Sequence, residues 1–217
     1  MKNTDFIFFF LSVRLSVYIY HKGGTMNKQL SKTTTLLFCA LCIALNIVLG
    51  IVMAAIKFPV YLDTIGTIFT AVCFGPVYGV CVGALTNFLT AIISGSLGGM
   101  PFMLVNIAIG LVVGLIFRKF RLTLASAIIT GIIIGIIAPV IGTPIGIVVY
   151  GGLTGTVSDI AVAVLKQSGM GIFAASFIPK LFNNLLDKTL SVLIVFFLIK
   201  ALPAYMKPTC LKAKARK

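Results

Sequence analysis

The chain has no tryptophan, one histidine and only four acidic residues among 217, all of them aspartate. With His21 as the sole imidazole and no glutamate, there is no material for a His-based triad, haem ligation or an ordinary zinc site. Paired carboxylates at helical spacing are also missing, which removes the common acid/base arrangement. No GxxxxGK[ST] loop occurs, so hydrolysis of ATP by a P-loop is excluded. These absences predict a protein that is not an enzyme and carries neither metal nor cofactor. Any step driven by ATP would need a partner.

What the chain has instead is apolar length. Hydrophobic residues make up 59%, charged residues 10%, and mean hydropathy is +1.15, well beyond an ordinary soluble domain. Several stretches carry almost no charge over the ~20 residues needed to cross about 30 Å of hydrocarbon. The net charge of +14 sits mostly at the termini and in one short loop: Lys28 and Lys32, then Arg118, Lys119 and Arg121, then Lys200 and the lysines and arginine after it. That distribution follows the positive-inside rule for membrane proteins. A basic stripe interleaved with aromatics, the mark of a nucleic-acid-binding face, is lacking, so no nucleic-acid partner is expected. Four of the five cysteines (Cys39, Cys42, Cys73, Cys81) fall inside apolar runs, where a thiol behaves as a small hydrophobe.

Residues 1–25 read poorly as either a signal peptide or a span, because Arg14 interrupts the apolar run and no small-residue cleavage site follows. Lys22-Gly23-Gly24 is what an AAAGGAGG-like ribosome-binding sequence would encode, which makes Met26 the expected start. Starting there leaves 15 basic and 3 acidic residues, once Lys2, Arg14, Lys22 and Asp5 are removed, for a net of +12. The expected organisation is an extension over 1–25, a transmembrane domain over 26–205 and a basic cytoplasmic tail over 206–217. If translation starts at Met26, the intact mass of the native protein will match that product; a Met1 mass would refute it.

Six spans are predicted, over 34–56, 60–75, 78–95, 101–117, 122–149 and 178–200. The fold class is thus an all-α integral membrane bundle of six transmembrane helices with both termini cytoplasmic. The fifth stretch is too long for one straight crossing, and Pro139 and Pro144 are expected to break it. After it, a glycine-rich loop leads into a short amphipathic helix. Tyr61, Tyr78, Tyr150 and Tyr205 are the available interfacial aromatics.

Under this topology Asp63, Asp159 and Asp187 lie toward the outer half or the outer loops. An acid at the bilayer centre costs about 2.5–3.5 kcal/mol on insertion scales, so such residues face a cavity or a partner. Asn87, Asn106 and the pair Asn183–Asn184 fall on the same side, and together these residues outline a polar pocket opening outward. Structural readings stand beside this one. Asp63 would cap the second helix through the N–H of Ile65 or Gly66, Asp187 would pair with Lys188 or Lys180, and the asparagines would bond between helices. Gly75, Gly79 and Gly83, Gly110 and Gly114, and Gly131 and Gly135 are packing stripes. Ala40 and Ala44 form a similar small stripe on the first span.

These residues carry a resemblance. Six spans, the AxxxA of Ala40 and Ala44, the block "YLDTIGTIFTAVCFGPVYGVCVGALTN" and the later "IGTPIGIVVYGGLTGTVSD" make residues 27–205 similar to the substrate-binding S components of energy-coupling factor (ECF) transporters. The resemblance implies a receptor in the prokaryotic plasma membrane that captures a vitamin or related micronutrient near the outer face. It also implies docking through the first helix, at Ala40 and Ala44, onto a transmembrane coupling subunit driven by two ATPases. The candidate substrate-binding residues, Asp63, Asn87, Asn106, Asp159, Asn184 and Asp187, come from the topology and not from the family. Acids in the pocket would favour a cationic or amine-bearing compound, although the same groups can hydrogen-bond a neutral one. A membrane sensor serving a separate signalling partner is the alternative.

Overall fold

In the computed structural model, residues 31–156 and 158–202 are described. The extension over 1–25, Met26, Tyr205, Cys210 and the tail over 206–217 lie outside them. The described residues form α1 (Lys32–Ala55), α2 (Ile65–Phe74), α3 (Pro76–Ile93), a 3-10 turn (Leu97–Phe102), α4 (Met103–Lys119), α5 (Leu124–Tyr150), α6 (Ser158–Gln167) and α7 (Ile172–Ala201). Among the described residues, five segments are long and apolar enough to cross a membrane: α1, α3, the 3-10 turn with α4, α5 and α7.

The predicted second span is the main departure. Ten helical residues of α2 rise only about 15 Å, half a bilayer core. Residues 60–64, expected to be helical, instead run back into the bundle without regular structure. The Cβ of Asp63 lies 3.4 Å from where a side chain on Gly50 would begin, so the segment descends beside the last turns of α1. Non-helical backbone is tolerated at such depth only when protein groups satisfy its N–H and C=O.

The fifth span departs in the other direction, because α5 is one continuous 27-residue helix containing both Pro139 and Pro144. Each proline leaves one carbonyl without its helical donor, yet breaking the helix would expose several backbone groups where there is no water to satisfy them. The continuous helix is the smaller penalty. Thr123 and Ser126 start it with a reciprocal capping box. As expected, a glycine-bearing loop follows and then the short α6, which packs on α7.

Close packing follows the small residues. A Cβ on Gly83 would strike Asn106 of α4, one on Gly110 or Gly114 would strike Gly79 or Pro76 of α3, and one on Gly79 would also strike Ala71 of α2, so α3 and α4 touch along their length. On the other side of the bundle Gly131 and Gly135 of α5 receive Thr189 and Leu185 of α7. Gly75, the first residue of the expected stripe, does something else. It has φ +102° and nothing near its Cβ position, and it is the single residue turning α2 into α3.

Asn46 joins the first three helices. It is fully buried on α1; its Nδ2 donates to Thr67 Oγ1 (3.1 Å) and Thr86 Oγ1 (3.2 Å), and its Oδ1 accepts from the Gly66 N–H (2.7 Å). Gly66 makes this possible, since any Cβ there would run into the carbonyl of Cys42. Around these contacts the core is aliphatic, centred on Ile68, Ile109, Val113, Ile134, Val192 and Ile199. Asn46→Ala would leave a buried N–H and two hydroxyls without partners. It is expected to cost about 1–3 kcal/mol, read as a lower Tm of the protein in detergent, while Thr86→Ala costs less.

Candidate functional site

The segment between α1 and α2 is held by charge. Asp187, 0% exposed on α7, accepts from the Tyr61 N–H (3.0 Å) and the Leu62 N–H (2.8 Å) through Oδ1. Its other oxygen pairs with Lys188 Nζ at 2.6 Å. Lys188 also reaches Asp63 Oδ1 (3.1 Å) and donates to Thr64 Oγ1 (3.2 Å). One buried cation thus serves two carboxylates, and the backbone of 61–64 is fixed against α7. Leu62 adopts φ +52°, a left-handed conformation that a branched side chain takes only when its surroundings impose it.

This arrangement corrects one reading of Asp63, which does not cap α2: that helix has no side-chain cap, and the Gly66 N–H goes to Asn46. Asp187 does pair with Lys188, as one of its expected partners.

Beside this pinned segment lies a cavity of about 300 Å³. Tyr61 and Asp63 form one wall. Asn87 of α3 and Asn106 of α4 form another, joined by a 2.5 Å hydrogen bond from Asn106 Nδ2 to Asn87 Oδ1. Ala138, Pro139 and Gly142 bring the proline-bearing stretch of α5 to the cavity. Lys180, Asn184 and Lys188 of α7 recur every fourth residue, so they share one helix face over about 12 Å. Phe102 and Tyr150, with ring centroids 6.3 Å apart, and Thr154, Thr156, Gly99 and Val105 complete the lining.

Of the six residues proposed from sequence, Asp63, Asn87, Asn106 and Asn184 line this cavity. Asp159 and Asp187 do not; each shapes its wall from behind. Asp159 accepts from the N–H groups of Thr154 (3.2 Å), Gly155 (2.6 Å) and Thr156 (3.2 Å), folding the loop that presents both threonines. Sequence reasoning missed Lys180 and Lys188, whose signal was the polar i, i+4, i+8 series Lys180, Asn184, Lys188 in an otherwise apolar helix. Tyr61 and Tyr150, expected as interfacial aromatics, both line the cavity.

The cavity lies at the end of the bundle where α1, α3 and α5 finish and α2, α4 and α7 begin. Lys32, Arg118, Lys119 and Lys200 lie at the opposite ends of their helices. Among the described residues no three His, Cys, Asp or Glu side chains group as metal ligands.

A multi-pass membrane bundle with a ligand-sized polar cavity at one end is the architecture of a transport or receptor subunit. The chain belongs to the substrate-specific components of ECF transporters, the family matched over residues 34–199. Comparison with curated proteins and with solved structures gives no match.

Removing the Lys188 charge leaves two carboxylates facing each other with no cation between them. Lys188→Met is therefore expected to destabilise the protein by about 3–5 kcal/mol, and Asp187→Asn added to it recovers part of that loss. Thermal unfolding of the two variants checks the pair; equal stability of Lys188→Met and the parent would contradict it.

Proposed function

We propose that this chain captures a small micronutrient, a vitamin or vitamin precursor, in the cavity between α3, α4, α5 and α7, at the outer face of a prokaryotic plasma membrane. The observation that carries the proposal is a cavity of about 300 Å³ lined by one aspartate, three asparagines and two lysines. That volume is at the small end of the ligand-pocket range. Its neutral donors and acceptors, the Asn87–Asn106 pair, Asn184, Thr154 and Thr156, suit a heteroatom-rich ligand, while Phe102 and Tyr150 offer aromatic faces. Basic residues at the other end favour an outward cavity by the positive-inside rule. The family match supports this receptor reading over the sensor alternative.

In this proposal the chain catalyses nothing. Delivery falls to a transmembrane coupling subunit and two ATPases. Ala40 and Ala44 are the candidate docking residues, and both are exposed on α1 among exposed Leu36, Leu37, Leu41 and Leu45. Small residues on an exposed helix face permit close approach of another helix.

Two measurements test the proposal. Mass spectrometry of molecules released by denaturing protein purified from its native membrane should identify a specific compound, and Asn87→Ala or Asn106→Ala should weaken its binding about tenfold through one lost hydrogen bond. Unchanged affinity in both variants would reject the cavity. Separately, Ala40→Leu with Ala44→Leu should abolish retention of the coupling subunit and leave ligand binding intact.

A further inference from the structure

On α5 and α7 some buried polar atoms have nothing to bond. Lys180 Nζ and Ser176 Oγ, one turn apart on α7, and Thr143 Oγ1 on α5 are buried without a hydrogen-bond partner among the described residues. Lys180 is 7% exposed and lines the cavity. Space is kept for its ammonium: a Cβ on Gly146 would meet Lys180 Nζ, and also the Thr154 methyl and the Phe102 ring.

A buried, unpaired ammonium is strongly unfavourable, and proteins ordinarily supply a carboxylate. Here none is left to supply. The acids among the described residues are Asp63, Asp159 and Asp187. Asp63 and Asp187 are engaged with Lys188. Asp159, whose field reaches Lys180, has both oxygens occupied by the amides of residues 154–156. Three donors on an Nζ that lines the cavity make a place for oxygen atoms bearing negative charge.

We infer that the ligand carries an anionic oxygen group, such as a carboxylate, which pairs with Lys180, while its uncharged polar part meets Asn87, Asn106 and Asn184. This rests on the cavity being the receptor site, and it replaces the cationic ligand expected from the acids alone. Asp63 shares Lys188 with Asp187, whereas Lys180 has no ion pair among the described residues.

The test uses the full chain in nanodiscs as parent, Lys180→Met and Lys180→Gln. Probes are nicotinate, biotin and pantothenate, each beside its uncharged amide or alcohol, with thiamine as the cation; compounds released from native-membrane protein are identified in parallel. The inference expects an acid to bind or be released, its uncharged counterpart to bind about 30-fold more weakly or worse, and both variants to lose that preference. The ligand-free Lys180→Met protein should unfold at the same temperature as the parent or higher, because it no longer buries an unpaired charge. Binding or release of only neutral or cationic compounds overturns the inference while the receptor reading stands. So does unchanged acid affinity in Lys180→Met, or a clear drop in its ligand-free stability, which would reveal a structural partner. If no probe binds and nothing is released, the receptor reading fails and this inference falls with it.

Discussion

The pairing of Lys188 with Asp63 and Asp187 is the constraint on which the cavity depends. Between α1 and α2 the chain turns back into the bundle without helical hydrogen bonds, which hydrocarbon does not permit for unsupported backbone. Asp187 accepts two of its N–H groups, and Lys188 neutralises Asp187 while holding Asp63. A short α2 is the consequence, because the non-helical approach uses the length that a full span would have taken. The space beside that approach is the cavity. Charge buried here is costly, and its return is a fixed shape at the cavity wall.

The rest of the fold supplies stiffness around that opening. Glycine contacts lock α3 to α4 and α5 to α7, and Asn46 ties α1 to α2 and α3. Asp159 does for the loop after α5 what Asp187 does for the one after α1: a carboxylate gathers backbone N–H groups and so presents the residues beside them. The three acids of the described chain therefore act first as organisers of backbone or partners of Lys188. Lys180 is left as the charge with no hydrogen bond or ion pair among the described residues, and this separates the groups that build the cavity from the one available to a ligand.

Hydropathy and charge placement made the membrane class and most helices legible in the sequence, since long apolar runs and basic ends leave few other solutions. The asparagines at 87, 106 and 184 were legible for the same reason: a carboxamide in an apolar helix must face something polar. The short α2 was not, because "YLDTIGTIF" has the apolarity of a span and its non-helical start is imposed by Asp187, more than 120 residues away in sequence. The unbroken α5 was misread through proline rules that hold in water better than in lipid. Gly75 fits a packing stripe by spacing and sits between the second and third expected spans; its φ of +102° gives it the turn. The roles of Lys180 and Lys188 turned on their counter-ions, which only the fold assigns.

Amide hydrogen exchange at Tyr61 and Leu62 in the lipid-embedded protein tests the central claim most directly. These residues lie outside any helix, so exchange at rates typical of an exposed loop is their default. If the buried Asp187 carboxylate holds both N–H groups, their protection will approach that of neighbouring α2 residues and will collapse in Asp187→Ala, while Asn46-linked amides such as Gly66 stay protected. Rapid exchange at Tyr61 and Leu62 in the parent protein would contradict the account.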